Sequence, residues 1–146
     1  MRPGCRGFSL VEIIAVAALA AILLIVAVPR LMVPETLEAR VPASTIAADL
    51  RMAQRLAIAG RADFVLEFAP ATPPYAQYTV RPAAGVPEPD FPKTFETGIV
   101  VNGPLQFTFR PDGSAGAGGT ITITSGGAMA TIVVIGLTGR VTMSGP

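Results

Sequence analysis

The strongest pattern in the chain is an apolar run near its start. From Ile13 to Val28 no side chain is polar. Counted from Phe8, with Ser9 and Glu12 inside it, the run to Val28 is 21 residues, or about 31 Å as a helix at about 1.5 Å per residue. That length matches a hydrocarbon core of about 30 Å. Pro29, Pro34 and Pro42 follow, and each removes a backbone donor. The pattern predicts a helix that is continuous or broken near Pro29 and Pro34, with a restart capped by Ser44. Ile46, Leu50, Ala53 and Ala57 then recur at helical spacing, with Leu56 beside them, and Gly60 is a natural stop. Asp49, Arg51, Gln54 and Arg55 fall mostly on the other faces. Beyond Gly60 the period changes to two. Phe64, Leu66 and Phe68 alternate within 63–68, and Thr alternates with Ile in 120–124. Further short strands are predicted at 78–80, 98–101, 105–109, 130–135 and 140–143. Ser125-Gly126-Gly127 and Gly136-Leu137-Thr138-Gly139 read as turns. Seven prolines between 69 and 97 make that stretch mostly loop, or edge strand at best. The sum is an α+β chain: a long N-terminal helix, apolar enough to span a membrane, packed on an antiparallel sheet.

Composition narrows the chemistry. The chain has 146 residues and a net charge of +1. Arg2 and Arg6 precede the apolar run; from residue 29 onward nine basic residues balance nine acidic ones. The soluble part is neutral and carries no general footprint for nucleic acid. Cys5 is the single cysteine and there is no histidine. Ser–His and Cys–His nucleophile pairs are therefore unavailable. Ser–Lys chemistry would have to use Lys93, the single lysine. Asp112-Gly113 with glycines 116, 118 and 119 lacks both the Gly-Lys-Ser/Thr of a phosphate loop and the carboxylate count of a calcium loop. It reads instead as a flexible hairpin connection. Asp63, Glu67, Glu88, Asp90 and Glu96 lie on strand faces or in Pro-rich loop and read as solvated surface. No catalytic constellation, cofactor site, metal site or small-molecule substrate is indicated.

Glu12 is what a plain signal anchor does not explain. A carboxylate in an apolar helix costs roughly 2.5–3.5 kcal/mol near the bilayer centre and less near an end. No basic side chain lies between Glu12 and Arg30. A cut between Gly7 and Phe8 would create an α-ammonium one helical turn from Glu12. Gly7-Phe8-Ser9-Leu10-Val11-Glu12 resembles the class III signal of type IV pilins and type II secretion pseudopilins. The resemblance implies cleavage after Gly7 by a prepilin peptidase and N-methylation of Phe8. It implies pairing of Glu12 with the terminal amine of an adjacent subunit, and a helix kink at Pro29. Ala17 and Ala21 supply the small-xxx-small spacing that lets such helices approach closely.

The later blocks resemble GspH/FimT-type proteins. They are the Leu50–Ile58 helix, the 63–68 strand, Phe109-Arg110-Pro111-Asp112-Gly113 with the glycines after it, and 132–135 through Gly139-Arg140-Val141. This resemblance implies a minor pseudopilin of type II secretion near the filament tip, with the other major and minor pseudopilins and the inner membrane as partners. The organisation follows: leader 1–7, spanning and assembly helix 8–28, helix continuation 29–60, sheet domain 61–146. Arg2 and Arg6 would keep the N-terminus cytoplasmic and leave the domain periplasmic. The alternative is a FimT/FimU-like minor pilin that primes a pilus or takes up DNA. Some such proteins bind DNA through Gly-Arg-x-Arg. Here Gly139-Arg140-Val141-Thr142 keeps Arg140 and lacks the second arginine, which argues against nucleic acid as a partner. Mass spectrometry of the mature protein checks the first of these expectations: it should begin at a methylated Phe8, and an intact Met1 in a host with active prepilin peptidase would overturn it.

Overall fold

The computed structural model describes residues 10–31 and 35–145, with side chains described for 10–21 and 38–145. It divides into two compact units, residues 1–34 and 35–146. In the first, helix α1 (Leu10–Leu31) continues through Pro29. In the second, helix α2 (Glu35–Gly60) precedes eight strands. They are β1 (Phe64–Ala69), β2 (Gln77–Pro82), β3 (Lys93–Thr94), β4 (Val100–Asn102), β5 (Gln106–Phe109), β6 (Gly119–Ser125), β7 (Ala128–Val134) and β8 (Val141–Ser144).

The antiparallel region is divided between two four-stranded sheets, in the orders β3-β2-β1-β5 and β4-β6-β7-β8. The first pairs Leu66 with Val80 on one side and with Phe107 on the other. The second pairs Ile121 with Ile132, and Ile132 with Met143. Period-two alternation sets which face is buried. Ile121 and Ile123 of β6, and Ala130, Ile132 and Val134 of β7, point into the core, while Thr120, Thr122 and Thr124 lie on the outer face. Tyr75 ties the sheets together: its N–H donates to Val101 O at 3.0 Å and its hydroxyl to Gly103 O at 2.7 Å.

Helix α2 packs on both sheets. Its buried line is Ala39, Ala43, Ile46, Ala47, Leu50, Ala53 and Ala57. Five of the seven are alanines, so the helix backbone can lie close to the strands. Ile46 and Leu50 supply the bulk that fills the space between them.

Two expectations at the start of this helix are corrected. Pro42 lies inside α2 and does not force a restart. Ser44 is likewise internal, and its hydroxyl donates backwards to Val41 O at 2.8 Å rather than capping anything. Thr45 donates to the same carbonyl at 3.2 Å. An internal proline costs about 3 kcal/mol. Ala39 and Ala43, buried on either side of it, hold the helix against the sheets, and packing along the whole buried line from Ala39 to Ala57 offsets the local cost.

The Gly-rich stretch is also different from a simple hairpin. Residues 110–114 form a tight turn that brings Ala115 back beside Phe109. Residues 116–118 then cross to the second sheet, because β5 and β6 belong to different sheets. In the Pro-rich stretch, β2 lies between β1 and β3; its proline, Pro82, falls at the strand's end, where a missing donor is tolerated. The Ser125-Gly126-Gly127 turn is as expected. Both glycines have positive φ, 57° and 90°, as the tight turn between β6 and β7 requires.

Leu50 is fully buried between α2 and the sheets. Leu50→Ala should cost about 2–5 kcal/mol, read by urea unfolding of residues 35–146. A loss below about 1 kcal/mol would mean the helix does not organise this core.

Candidate assembly surfaces

Gly7 and Phe8 lie outside the described residues. Glu12 stands in the first described turn of α1, surrounded by Leu10, Val11, Ile13, Ile14, Val16 and Leu19. All six are exposed, from 59% at Ile14 to 74% at Leu10. At about 100° per residue the six together fall on every side of the helix axis, with Val16 and Leu19 on the side of Glu12. Among the described residues of its unit this segment has no covered face, which leaves its apolar surface to lipid or other helices. Pro29 is within α1, two residues before its end. Among the described residues no helix is long and apolar enough to cross a membrane; the apolar run of the sequence continues past Ala21, the last described side chain of α1.

In the second unit, an acid that helical spacing alone assigned to an outer face is buried. Asp49 is 7% exposed. Its Oδ2 accepts a hydrogen bond from the Tyr78 hydroxyl at 2.6 Å and another from Lys93 Nζ at 2.7 Å. Lys93 also lies 4.9 Å from the centre of the Phe91 ring, a cation–π distance. Tyr78 stacks on Phe95 at 5.4 Å and meets Phe91 edge-on at 5.9 Å. Burial, then the bond to Asp49, then the charge of Asp49 push the Tyr78 phenol far above its ordinary value of 10.0. Lys93 therefore anchors the returning end of the Pro-rich loop to α2. It has no serine partner in this contact.

A second polar contact joins parts of the chain that are far apart in sequence. Gln54 Nε2 donates to Gly113 O at 2.6 Å and to Thr138 O at 3.2 Å. One turn earlier, Arg51 donates to Val141 O at 3.1 Å. Together they clasp the 110–114 turn and the β7–β8 turn against α2. Gly139 completes the clasp. It has φ 61°, and a Cβ there would run into Gly113 O and the Gln54 amide. Asp112 holds the neighbouring turn through Ser114, whose hydroxyl donates at 2.6 Å and whose N–H donates at 2.9 Å. These two bonds lower the Asp112 pKa. Arg140 follows Gly139 with its side chain exposed. Glu67 is half-buried and pairs with Arg81 at 3.0 Å. Among the described residues no three acids, cysteines or histidines are grouped to hold a metal.

Comparison with known proteins supplies the family. The model of type II transport protein GspH matches residues 43–139, and the prokaryotic N-terminal methylation motif matches residues 2–28. The chain belongs to the GspH family. It is a minor pseudopilin of type II secretion, with the membrane-anchored start that the methylation motif marks. No curated protein matches its sequence significantly. Its fold is similar to that of the minor pseudopilin EpsH from the type 2 secretion system of Vibrio cholerae. There the TM-score is 0.61 at 16% identity, over 75% of this chain and 98% of that one. It is also similar to the type IV minor pilin FimU of Pseudomonas aeruginosa. That match has a TM-score of 0.60 at 16% identity, over 72% of this chain and 91% of FimU.

The clasp explains why this GspH-family chain shows separate motif blocks. The helix block supplies Gln54, the Arg110-Pro111-Asp112-Gly113 block supplies Gly113 O, and the closing hairpin supplies Thr138 O and Gly139. The structure brings these three together at one end of the domain, with Arg140 beside them. It does not bring Arg140 to a second arginine of the Gly-Arg-x-Arg kind, because Thr142 stands there. Sequence reasoning missed Asp49 and Lys93. Their signal was faint: an acid next to Leu50 in the helix, and the chain's single lysine between two aromatic residues.

Because the folded protein holds the Tyr78 proton and the unfolded chain releases it near pH 10, stability should fall as pH rises through about 10. The slope from this group is about 1.4 kcal/mol per pH unit. Urea unfolding of residues 35–146 at several values between about pH 9 and about pH 11 reads it. Tyr78→Phe should remove that part of the slope, and identical slopes in the two proteins would sink the assignment.

Proposed function

We propose that this GspH-family subunit is cut between Gly7 and Phe8 by prepilin peptidase and methylated at Phe8. It then leaves the inner membrane for a periplasmic pseudopilus when Glu12 meets the Phe8 ammonium of a neighbouring subunit. The observation that carries this reading is the lone carboxylate of Glu12 within a segment whose apolar side chains are exposed on all sides. A charge in such surroundings needs a counter-charge delivered with the surface that covers it. A second copy of the same kind of helix, starting at a cut Phe8, brings both.

The subunit works by position, without catalysing a reaction. Before assembly α1 spans the inner membrane once, with Arg2 and Arg6 on the cytoplasmic side and the domain from residue 35 in the periplasm. After assembly the helix lies among other pseudopilin helices, and Ala17 and Ala21 allow close approach. The subunit sits near the filament tip, between the tip complex and the shaft, and supports protein export. Pro29 marks the point where the assembly helix kinks.

A minor-pilin role in a type IV pilus is the second reading, favoured by the likeness of the fold to FimU. Its DNA-uptake form is opposed by the single Arg140 and the neutral domain, since phosphate affinity grows with the number of charges neutralised.

Glu12→Ala, and equally Glu12→Val, should leave cleavage intact and weaken incorporation into the filament. Removing one member of a buried charge pair costs about 3–5 kcal/mol, so the loss should exceed tenfold in a pull-down with the other pseudopilins. Normal incorporation of either mutant would sink the role given to Glu12.

A further inference from the structure

The clasped end of the domain carries exposed surface beyond the clasp itself. Leu137, at the tip of the β7–β8 turn, is 92% exposed, the highest value among the exposed large apolar residues described. It is also held in place. The turn is closed by Ile135 N–H to Arg140 O at 3.0 Å and by Gly139 N–H to Ile135 O at 2.8 Å, and Gln54 binds the turn at Thr138 O. A fixed, fully presented leucine loses little freedom when it is covered, which favours its use as an anchor. Beside it is a cavity of about 400 Å³ lined by Arg110, Asp112, Ser114, Gly116, Gly118 and Leu137. Ile58, at the same end of α2, is half-exposed and reaches Gly113.

Charge defines what would cover this surface. Arg55, Arg61, Arg110 and Arg140 are exposed at this end. Among the described residues the ion pairs are Arg81–Glu67 and Lys93–Asp49, so these four arginines take no part in one. Phe64 pairs with Phe109, which places Arg110 at the same sheet end as the chain leaving α2 through Arg61. Arginines around an exposed leucine and a concave cleft suit a protein segment with acidic side chains and one apolar side chain. Nucleic acid fits less well. Asp63 and Asp112 interrupt the basic set, and a phosphate backbone offers nothing to cover Leu137.

We propose that this end of the domain docks an acidic segment of a different, neighbouring subunit. Leu137 is the apolar anchor, and Arg110 and Arg140 pair with carboxylates of that segment. The proposal rests on the filament-assembly reading above. It is tested in the full chain, expressed in secretion-competent cells, with a photo-crosslinking amino acid at position 137 or, separately, at position 16 in α1. The adduct at position 137 should map by mass spectrometry to an Asp- or Glu-bearing segment of another protein. Arg110→Glu combined with Arg140→Glu should cut its yield roughly tenfold or more and leave position 16 adducts unchanged. Lys at the mapped acids should restore the yield. Arg110→Gln with Arg140→Gln, which adds no repulsion, should lower it in the same direction. Position 16 adducts without any at position 137 would overturn the docking face and leave the assembly reading standing. So would an adduct to a second copy of this chain, to nucleic acid, or to a segment without acids. Loss of adducts at both positions in the unsubstituted chain would overturn the assembly reading as well.

Discussion

Neither sheet of the domain has a core of its own without α2. Each is a four-stranded antiparallel layer with one apolar face, and a single such face exposed to water is unstable. The helix lies against both. Its contact line is narrow because five of its seven apolar positions are alanine. Small side chains let two sheets share one helix, since larger ones would hold the strands away and open voids between them. Ile46 and Leu50 then fill the middle. The same constraint explains how Pro42 survives inside the helix: the alanines on either side are already committed to the core.

Close packing of this kind leaves little room for polar groups, so those at the contact are fully engaged. Asp49 faces the sheet bearing Tyr78 and binds both Tyr78 and Lys93 through one oxygen. Gln54 binds two turns that belong to different parts of the chain. A buried carboxylate or amide without its partners is costly, so each of these contacts selects one placement of α2 over shifted ones. Apolar burial supplies most of the attraction, and these few directional bonds define the register. They also make the far end of the domain rigid, and with it the surface around Leu137 and Arg140.

The first unit follows a different logic. Over residues 10–21, apolar side chains lie on all sides of α1 with Glu12 among them, and the large ones are exposed. What makes this segment useful is what it lacks. Its surface suits lipid and, in the proposed assembly, other helices, with the Glu12 carboxylate as the charge that would tell those two surroundings apart. Stability in the globular unit and assembly through the helix are thus separate problems, solved by different residues.

Periodicity alone was enough for the α+β class and the position of most strands, and it marked the apolar run with the isolated Glu12 inside it. Those features depend on neighbours within a turn or a strand, where spacing maps directly onto geometry. The motif at Gly7–Glu12 was legible for the same reason, being six consecutive residues. The division of the strands between two sheets, the helix running through Pro42, the burial of Asp49 and the clasp at Gln54 were decided only by tertiary structure. Asp49 meets partners 29 and 44 residues away, and Gln54 meets partners 59 and 84 residues away. A helical wheel can say that a residue points away from its apolar neighbours, but not that another strand will arrive there. Local pattern therefore determined what each segment is, and long-range packing determined which polar side chains the segments share.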